Sequence, residues 1–379
     1  SRPILCKIQR LLFVVNIFAA AVYFHLHELQ QNSSGSIING VNTPRYSHHP
    51  HNSLRVATWN LRVPFPPDVE RNLSWVDRRH SIASAIARWR PHLLALQEDC
   101  YFMNDYLMNT QTLLGGKLSD IYDRYGLFNR NGESYPATNN NWPENAFSTI
   151  VGKDGEHNSI WYDKGRFMAT KNVTFWLSRT PHVAGSSFDE VTGRVVNCVL
   201  LHDRQCAYRN GTDKIRIHCP NYIFFCSAHL PAGNTTRQLW SVGVLSEVFS
   251  RFQHDFLNGN ANEKLMMMVS GDFNSAPGSD THNAMLKSGF IDSRQVSQEG
   301  KSIEEYTDTT NDWYSSEDSL IDYVWLYLGR PERKIHPSRD VVSVRHIQTP
   351  CCDSRLSFDD SLNKTASDHL MVLADFGII

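Results

Sequence analysis

Eight short apolar segments are spaced along the chain, and they constrain its fold more than any other feature. They are rich in the apolar, β-branched and aromatic residues that form buried strands, and they lie at 54–61, 93–96, 159–162, 195–202, 222–228, 265–270, 321–328 and 371–376. Helices are predicted at 74–89, where Ile82, Ile86 and Trp89 share one face, around 101–114, and at 237–256. Because several strands follow one another directly, the pattern predicts an α/β or α+β sandwich with mixed sheets.

The first 53 residues are expected to lie outside the folded domain, which is predicted to cover 54–379. A basic segment, 1–10, precedes an apolar segment, 11–26, and a polar linker follows at 27–53. The apolar segment is short for a membrane-spanning helix, which needs about 20 residues. It is either a cleavable signal peptide or a signal-anchor that would associate with a membrane, with a buried helix as a third interpretation. The first two predict the secretory pathway and a secreted or membrane-anchored product.

The cysteines and glycosylation sequons bear on the same compartment. Eight cysteines in 379 residues are too few for a disulfide scaffold. Cys206 and Cys219 flank a polar stretch between two apolar segments, and a disulfide there would close a hairpin in an oxidising compartment. Six N-x-[ST] sequons give weak support for a glycoprotein; they begin at Asn32, Asn72, Asn172, Asn210, Asn234 and Asn363.

Polar residues that can bind metal ions recur where the predicted strands begin or end. They are Asn60, Glu98, His229, Asp272, Asn274, Asp322, Asp368 and His369. Residues at strand ends can converge from distant positions onto one edge of a sheet. Glu98, Asn60 and Asp368 form an all-oxygen set, which suits Mg²⁺ or Mn²⁺ rather than zinc. Such a cation polarises a phosphoryl oxygen.

The remaining residues of this set fit hydrolysis of a phosphate ester. The Asp272 carboxylate is suited to orient an attacking water, and the Asn274 amide is suited to hold the phosphate. His369, with Asp322 as its partner, is suited to act either as a base or as a cation that contacts phosphate. His229 is a second donor to the phosphate or the leaving oxygen. Each residue alone has a common structural explanation, so the prediction rests on the whole ordered set.

This ordered set resembles the motifs of the endonuclease/exonuclease/phosphatase superfamily. The matching segments are Thr58-Trp59-Asn60, Leu96-Gln97-Glu98, Ala228-His229-Leu230, Gly271-Asp272-Phe273-Asn274, Ile321-Asp322-Tyr323 and Ser367-Asp368-His369. The resemblance covers about 54–379 and implies a four-layer α/β sandwich, with two mixed β-sheets packed face to face and flanked by helices. It also implies that the cleft lies at one rim of the sandwich.

The resemblance implies where a metal ion would bind. Asn60 and Glu98 would hold Mg²⁺, with Glu98 as the direct ligand, and Asp368 would support the metal or the phosphate network. Glu156 resembles the glutamate that orients one histidine in the deoxyribonuclease branch, and Arg194 resembles a residue that would contact phosphate.

The resemblance also implies which residues act on the substrate. Asp272 and Asn274 would align the nucleophilic water and the phosphate. His369 would be the catalytic histidine, oriented by Asp322, and His229 would be the second one.

The favoured function is therefore a Mg²⁺-dependent phosphodiester hydrolase that acts on nucleic acid, as an endonuclease or a 3′–5′ exonuclease. A basic segment at 330–339 supports it, whereas the net charge of −2 argues against tight duplex binding. No interleaving of aromatic and basic residues along the sequence marks a single-strand channel. The alternative is the same chemistry on phospholipids or phosphorylated small molecules, which a membrane anchor would favour. A non-catalytic scaffold is disfavoured because every acidic and histidine position is retained, and no protein partner is inferred.

Overall fold

The computed structural model describes residues 53–112, 116–126, 128–130, 132, 156–188, 193–209, 220–260, 263–297, 310, 319–329, 341–347 and 366–377. The predicted signal segment, nearly all of the predicted linker and the basic segment 330–339 lie outside these residues. Within the described part of the chain, no helix combines the length and the apolar character that crossing a membrane requires.

Twelve strands and seven α-helices occur in the described residues. The strands are β1 (Ser53–Asn60), β2 (Leu93–Gln97), β3 (Tyr122–Tyr125), β4 (Ile160–Asp163), β5 (Phe167–Trp176), β6 (Val195–Asp203), β7 (Tyr222–His229), β8 (Leu265–Asp272), β9 (Phe290–Asp292), β10 (Asp322–Tyr327), β11 (Val341–Ile347) and β12 (Met371–Gly377). The helices are α1 (Pro66–Glu70), α2 (Trp75–Trp89), α3 (Tyr101–Asn109), α4 (Leu118–Ile121), α5 (Arg204–Arg209), α6 (Thr235–Gly259) and α7 (Asp280–Lys287), and a 3₁₀ helix spans Ser293–Val296.

The strands form two mixed six-stranded sheets. The strand order is β11-β12-β1-β2-β4-β3 in the first sheet and β5-β6-β7-β8-β10-β9 in the second. β1 pairs with β2, and β7 pairs with β8, in parallel, whereas the other neighbouring strands are antiparallel. The predicted α/β fold with two mixed sheets is confirmed.

The two faces of β7 show how the layers are stacked. Ser227 faces the first sheet, because its hydroxyl donates a hydrogen bond of 2.9 Å to the Leu96 carbonyl of β2. Phe224 points the other way, and its ring lies 5.5 Å from that of Phe249 in α6. Since side chains alternate between the two faces of a strand, the second sheet is buried between the first sheet and α6.

The first sheet is likewise covered on both faces. Val56 of β1 belongs to the buried cluster that contains the residues of the second sheet. The next residue, Ala57, belongs to a separate cluster with Ile82 and Ile86 of α2. Helix α2 therefore forms an outer layer, and the spacing of its apolar residues predicted that buried face correctly.

Several elements differ from the sequence-based prediction. β5 is a ten-residue edge strand whose middle is exposed and polar, so it lacks the apolar pattern of a buried strand. β3 and β9 have only four and three residues, too few to show a period. Helix α3 ends at Asn109 rather than near 114, and α6 begins two residues earlier than predicted, where Asn234 accepts a hydrogen bond from the Arg237 N–H.

A disulfide joins β6 and β7. Cys198 and Cys226 are paired across the two strands and are bonded, with their Cα atoms 4.0 Å apart. The sequence analysis did not identify this pair. Cys206 is also disulfide-bonded, but Cys219 lies outside the described residues, so the Cys206–Cys219 disulfide stays a prediction.

The buried His157 should make the stability of the fold depend on pH. His157 is 3% exposed, and burial lowers its pKa from 6.5 to about 4. Below about pH 6.5 His157 therefore binds a proton in the unfolded chain, whereas in the folded chain it does so only below about pH 4. The free energy of unfolding thus decreases as the pH falls through this window. Replacing His157 by Asn should remove about 2 kcal/mol of the decline in the free energy of unfolding between pH 7 and pH 5.

Urea denaturation at the two pH values measures this decline. A His254→Asn variant is the control, because that histidine is exposed on α6 and its loss should leave the wild-type decline unchanged. An identical decline in wild type and His157→Asn would show that His157 is not held neutral.

Candidate functional site

The strand register brings the predicted polar residues to one edge of the two sheets. Asn60 ends β1 beside Gln97 of β2, and Glu98 follows directly. In the second sheet, Asp272 at the end of β8 lies opposite His229 on one side and Asp322 on the other. Because parallel neighbours end at the same edge, residues up to about 300 positions apart in sequence meet there.

Asn60 links the carboxylates of the two sheets. Its side chain is fully buried, and its Nδ2 donates to Glu98 Oε1 at 3.0 Å and to Asp272 Oδ2 at 3.1 Å. Its Oδ1 accepts a hydrogen bond of 2.9 Å from the Arg62 N–H. The Asn60 Nδ2 therefore holds the two carboxylates close together, and the Arg62 N–H fixes the orientation of the amide.

Glu98 is held ionised at the end of β2. It adopts a left-handed backbone conformation, with φ of 53°, and its Oε2 accepts a hydrogen bond of 2.9 Å from the Val63 N–H. Burial alone would raise the pKa of Glu98, but the hydrogen bonds from Asn60 and Val63 lower it below its ordinary value. Each carboxylate oxygen keeps a lone pair beyond the hydrogen bond it accepts.

Asp272, Asp322 and His369 form a buried chain of charges. His369 Nδ1 lies 2.9 Å from Asp322 Oδ2, and His369 Nε2 lies 3.8 Å from Asp272 Oδ2. Burial opposes protonation of His369, but the charge and hydrogen bond of Asp322 and the charge of Asp272 raise its pKa well above 6.5. Burial and the charge of Asp322 raise the pKa of Asp272 to about 7. The imidazole is thus cationic at neutral pH, while Asp272 exchanges a proton in that range.

His229 has the opposite charge state. Its Nε2 lies 3.5 Å from Asp272 Oδ2, and its Nδ1 lies 3.8 Å from Glu156 Oε2. Burial and the positive charges of Arg194, His369 and Arg130 lower the pKa of His229 well below 6.5. This imidazole is therefore neutral at pH 7.

Glu156 lies between His229 and an arginine. Its Oε1 is 2.6 Å from Arg130 Nη1. Burial and the charge of Glu98 raise the pKa of Glu156 to about 7, although Arg130 and Arg194 act against this rise. Glu156 is thus placed where the resemblance implied, next to His229, but at 3.8 Å rather than at hydrogen-bond distance.

Asn274 is turned toward the protein rather than away from it. Its backbone N–H donates to Asp272 Oδ1 at 2.8 Å, and its Nδ2 donates to the Leu230 carbonyl at 2.9 Å. The preceding Gly271 has φ of 153°, and a Cβ there would lie 1.8 Å from the Ala228 carbonyl oxygen. Only glycine allows this close approach of β8 to β7. Asn274 orients Asp272, and its predicted contact with phosphate stays a prediction.

Asp368 is paired with an arginine that the sequence analysis did not identify. Its Oδ2 lies 2.5 Å from Arg62 Nη1, and Arg62 also contacts Asp68 at 3.1 Å. Burial raises the pKa of Asp368, with Arg62 and His369 opposing it. The role of Asp368 as a metal-supporting residue stays a prediction. Arg62 has a positive φ of 59°, and no sequence pattern reveals its pairing with Asp368.

The Glu98 carboxylate fits a divalent cation, because it is ionised and Asp272 adds a second carboxylate nearby. Asn60 turns its Nδ2 toward both carboxylates and its Oδ1 toward the Arg62 N–H, so its role as a metal ligand stays a prediction. A second group, Asp272, Asp322 and His369, has ligand atoms within 4.8 Å of one another.

Comparisons with known proteins bear on the family and the fold. The sequence profile described as "Endonuclease/Exonuclease/phosphatase family" matches residues 57–369. No curated protein sequence matches the chain significantly.

Solved structures share the fold at low sequence identity. A Bacteroides thetaiotaomicron protein of the endonuclease/exonuclease/phosphatase family has a TM-score of 0.59 at 19% identity, covering 86% of this chain and 97% of that one. The mannosyl-6-phosphatase of the same organism has a TM-score of 0.58 at 19% identity, covering 85% and 99%. D. rerio TDP2, solved with a single-strand DNA product, has a TM-score of 0.51 at 15% identity, covering 86% and 98%.

The high pKa of His369 should depend on Asp322. Replacing Asp322 by Asn removes a negative charge at 2.9 Å, so the pKa of His369 should fall by at least about one pH unit. NMR titration of the imidazole resonances in the metal-free protein measures it. Asp255→Asn, a matched change at an exposed carboxylate of α6, should leave this resonance unmoved. An unchanged pKa in Asp322→Asn would contradict the ion pair.

Proposed function

This chain belongs to the endonuclease/exonuclease/phosphatase family, whose members hydrolyse phosphoester bonds, and we propose that it is a Mg²⁺-dependent phosphodiester hydrolase acting on nucleic acid. One observation carries the proposal. A carboxylate that titrates near pH 7, Asp272, and a cationic histidine, His369, share a buried edge with the Glu98 carboxylate, and the Asn60 amide bridges Glu98 and Asp272. Hydrolysis of a phosphodiester needs a base, a cation for the phosphoryl oxygens and a metal site, and all three groups meet there.

Asp272 is the proposed base. A general base works best when its pKa is close to the working pH, and the pKa of Asp272 is about 7. Its Oδ1 is occupied by the Asn274 N–H, which leaves Oδ2 facing Asn60 and both histidines. Asp272 would orient the attacking water and accept its proton, so activity should rise as the pH increases through about 7.

The two histidines then have separate roles. His369, a cation because of Asp322, would contact a phosphoryl oxygen, and its raised pKa supports this role over that of a base. His229 is neutral and would donate a hydrogen bond to the phosphate or the leaving oxygen. Glu98 and Asn60 would hold the Mg²⁺, which supplies polarisation of the phosphoryl group when bound; Mn²⁺ suits the same donors.

Nucleic acid is the favoured substrate because positive charge lies beside the site. Arg130 and Arg194 both act on the pKa of His229 and of Glu156, so their guanidinium groups lie close to them. D. rerio TDP2, which shares the fold, was solved with single-strand DNA. Phospholipids or phosphorylated small molecules are the alternative. The shared fold of the mannosyl-6-phosphatase favours a small phosphorylated molecule over a lipid.

We also propose that the protein passes through the secretory pathway. The disulfide between Cys198 and Cys226 supports an oxidising compartment. Two described sequons are accessible for glycosylation, since Asn72 and Asn172 are both exposed. The predicted signal segment at 11–26 is the third support, and whether it anchors the protein to a membrane stays a prediction.

A substrate panel tests the proposed function. The full chain with Mg²⁺ should cleave single-stranded DNA or RNA faster than duplex DNA, sphingomyelin vesicles or sugar phosphates. His369→Ala should lower kcat by about 10²- to 10⁴-fold, the range for one acid–base group. His254→Ala, at an exposed position, should keep the wild-type rate. Turnover of sugar phosphates or lipid alone would overturn the proposed substrate, and full activity in His369→Ala would overturn the proposed site.

Glu98 should control the affinity for the metal ion. Glu98→Gln keeps the shape of the side chain but removes its charge, so the Mg²⁺ concentration for half-maximal activity should rise at least about tenfold. Titration calorimetry with Mg²⁺ should show the same loss without relying on activity. Glu247→Gln, on the exposed face of α6, is the matched control. Equal Mg²⁺ affinity in Glu98→Gln and wild type would place the metal elsewhere.

A further inference from the structure

The edge of the second sheet continues beyond His229 to the ends of β5 and β6. Trp176, the last residue of β5, pairs with Val195, the first residue of β6. β6 in turn runs antiparallel to β7, with Asn197 opposite Ser227, two residues before His229. Residues 177–188, which follow β5, and residues 193–194, which precede β6, therefore lie at the edge that carries the proposed active site.

An aromatic cluster lies on this segment and on α6. Trp240 of α6 packs on Phe188, with ring centroids 5.3 Å apart, and the Arg179 guanidinium lies 5.4 Å from the centroid of the Trp240 ring. We call Arg179, Phe188 and Trp240 the aromatic platform. Phe188 is buried, whereas Trp240 is 41% exposed. A large flat side chain is thus supported by a second ring and an arginine and still presents much of its surface to solvent.

The first turns of α6, which carry Trp240, contact the loop that follows Asp272. Gln238, two residues before Trp240, is buried, and its Nε2 donates to the Asn274 carbonyl at 2.8 Å and to the Pro231 carbonyl at 2.9 Å. Its Oε1 accepts a hydrogen bond of 2.9 Å from Thr281. The first turns of α6 are therefore anchored to the loop that follows Asp272, and Trp240 lies in the same part of the helix, about 200° around it from Gln238.

Two arginines lie near both His229 and the end of β5. The Trp176 indole donates to the Arg130 carbonyl at 3.0 Å, and the Leu177 N–H donates to the Arg194 carbonyl at 2.8 Å. The charges of both arginines act on His229. They therefore place positive charge at the edge where the phosphates of a bound strand would lie.

We propose that the aromatic platform stacks a nucleobase of single-stranded nucleic acid whose scissile phosphate lies at Asp272 and His369. This inference rests on the proposed nuclease function and deepens it by naming the strandedness of the substrate. Exposed aromatic rings beside arginines bind single strands, because unpaired bases have free faces to stack and their phosphates pair with the guanidinium groups. Bases in a duplex are already stacked and paired. The platform combines one exposed ring with a cation, which suits a base and its phosphate better than a lipid surface.

The platform also explains why no single-strand channel is visible in the sequence. Its three members come from two segments that are about 50 to 60 residues apart, Arg194 lies just before β6, and Arg130 comes from a third segment. Aromatic and basic side chains interleave in space, not along the chain.

Binding of a short fluorescent DNA strand tests the proposal. The full chain carrying His369→Ala is used with Mg²⁺, so that the strand is bound but not cut. Adding Trp240→Ala should raise the Kd by roughly 5- to 100-fold, the range for loss of one stacked base, while Trp240→Phe should restore much of the affinity. Leu239→Ala is the matched control, because Leu239 is 38% exposed and points about 100° away around the helix.

Strands with one abasic nucleotide at successive positions identify the stacked base. In the His369→Ala background, one position should weaken binding far more than its neighbours, and this difference should vanish when Trp240→Ala is added. Equal Kd values for the DNA strand with and without Trp240 would overturn the inference. It would also be overturned if the protein bound sphingomyelin vesicles but not DNA, and if Trp240→Ala abolished that binding.

The two failures are distinguishable. If wild type cuts DNA but Trp240→Ala binds it normally, the platform assignment is wrong and the nuclease function stands. If Trp240 is needed to bind the strand but wild type cuts no nucleic acid, the stacking site is supported and the proposed hydrolysis is overturned.

Discussion

One buried guanidinium ties the two ends of the folded chain to the site. Arg78 of α2 is fully buried, and it donates to the carbonyls of Leu61 and Arg62 at 2.5 Å each and of Ala366 at 3.1 Å. Burial lowers its pKa, but only to about 10, so it carries its charge at neutral pH. The Leu61 and Arg62 carbonyls come just before Val63, whose N–H binds Glu98. The Ala366 carbonyl comes just before Asp368 and His369. Burying this guanidinium would cost free energy if its N–H groups had no partners, but the carbonyl oxygens accept their hydrogen bonds. These hydrogen bonds fix the backbone on which the site depends.

The opposite charge states of the two histidines follow from their neighbours. Both are buried in the same cluster and both lie within 4 Å of Asp272 Oδ2. His369 also has Asp322 at 2.9 Å, whereas His229 has Glu156 only at 3.8 Å and two arginines beyond it. Burial disfavours the charged form of each, and only His369 has a carboxylate close enough to outweigh it. The residue types alone therefore could not predict which of the two histidines carries the positive charge.

The sequence predicted the mixed sheets and the convergence of the site because both depend on strand patterns. Asn60, Glu98, His229 and Asp272 stand at the ends of apolar segments, so their meeting follows from parallel pairing. Residues that act through tertiary contacts left no such signal. Arg62 pairs with Asp368, about 300 positions away in the sequence, and Trp240 contacts Phe188 from a different element. β5 was missed because its exposed edge carries polar residues in place of an apolar period.

The bridge that Asn60 makes between Glu98 and Asp272 also has a consequence for folding. Glu98 and His369 belong to the first sheet or adjoin it, and Asp272, Asp322 and His229 belong to the second, so neither half of the sandwich holds a complete set of groups. A chain in which the sheets have formed but have not yet docked would have no hydrolytic activity. Hydrolytic activity would then report the last step of assembly, and a partly folded molecule would be harmless to the phosphoesters around it.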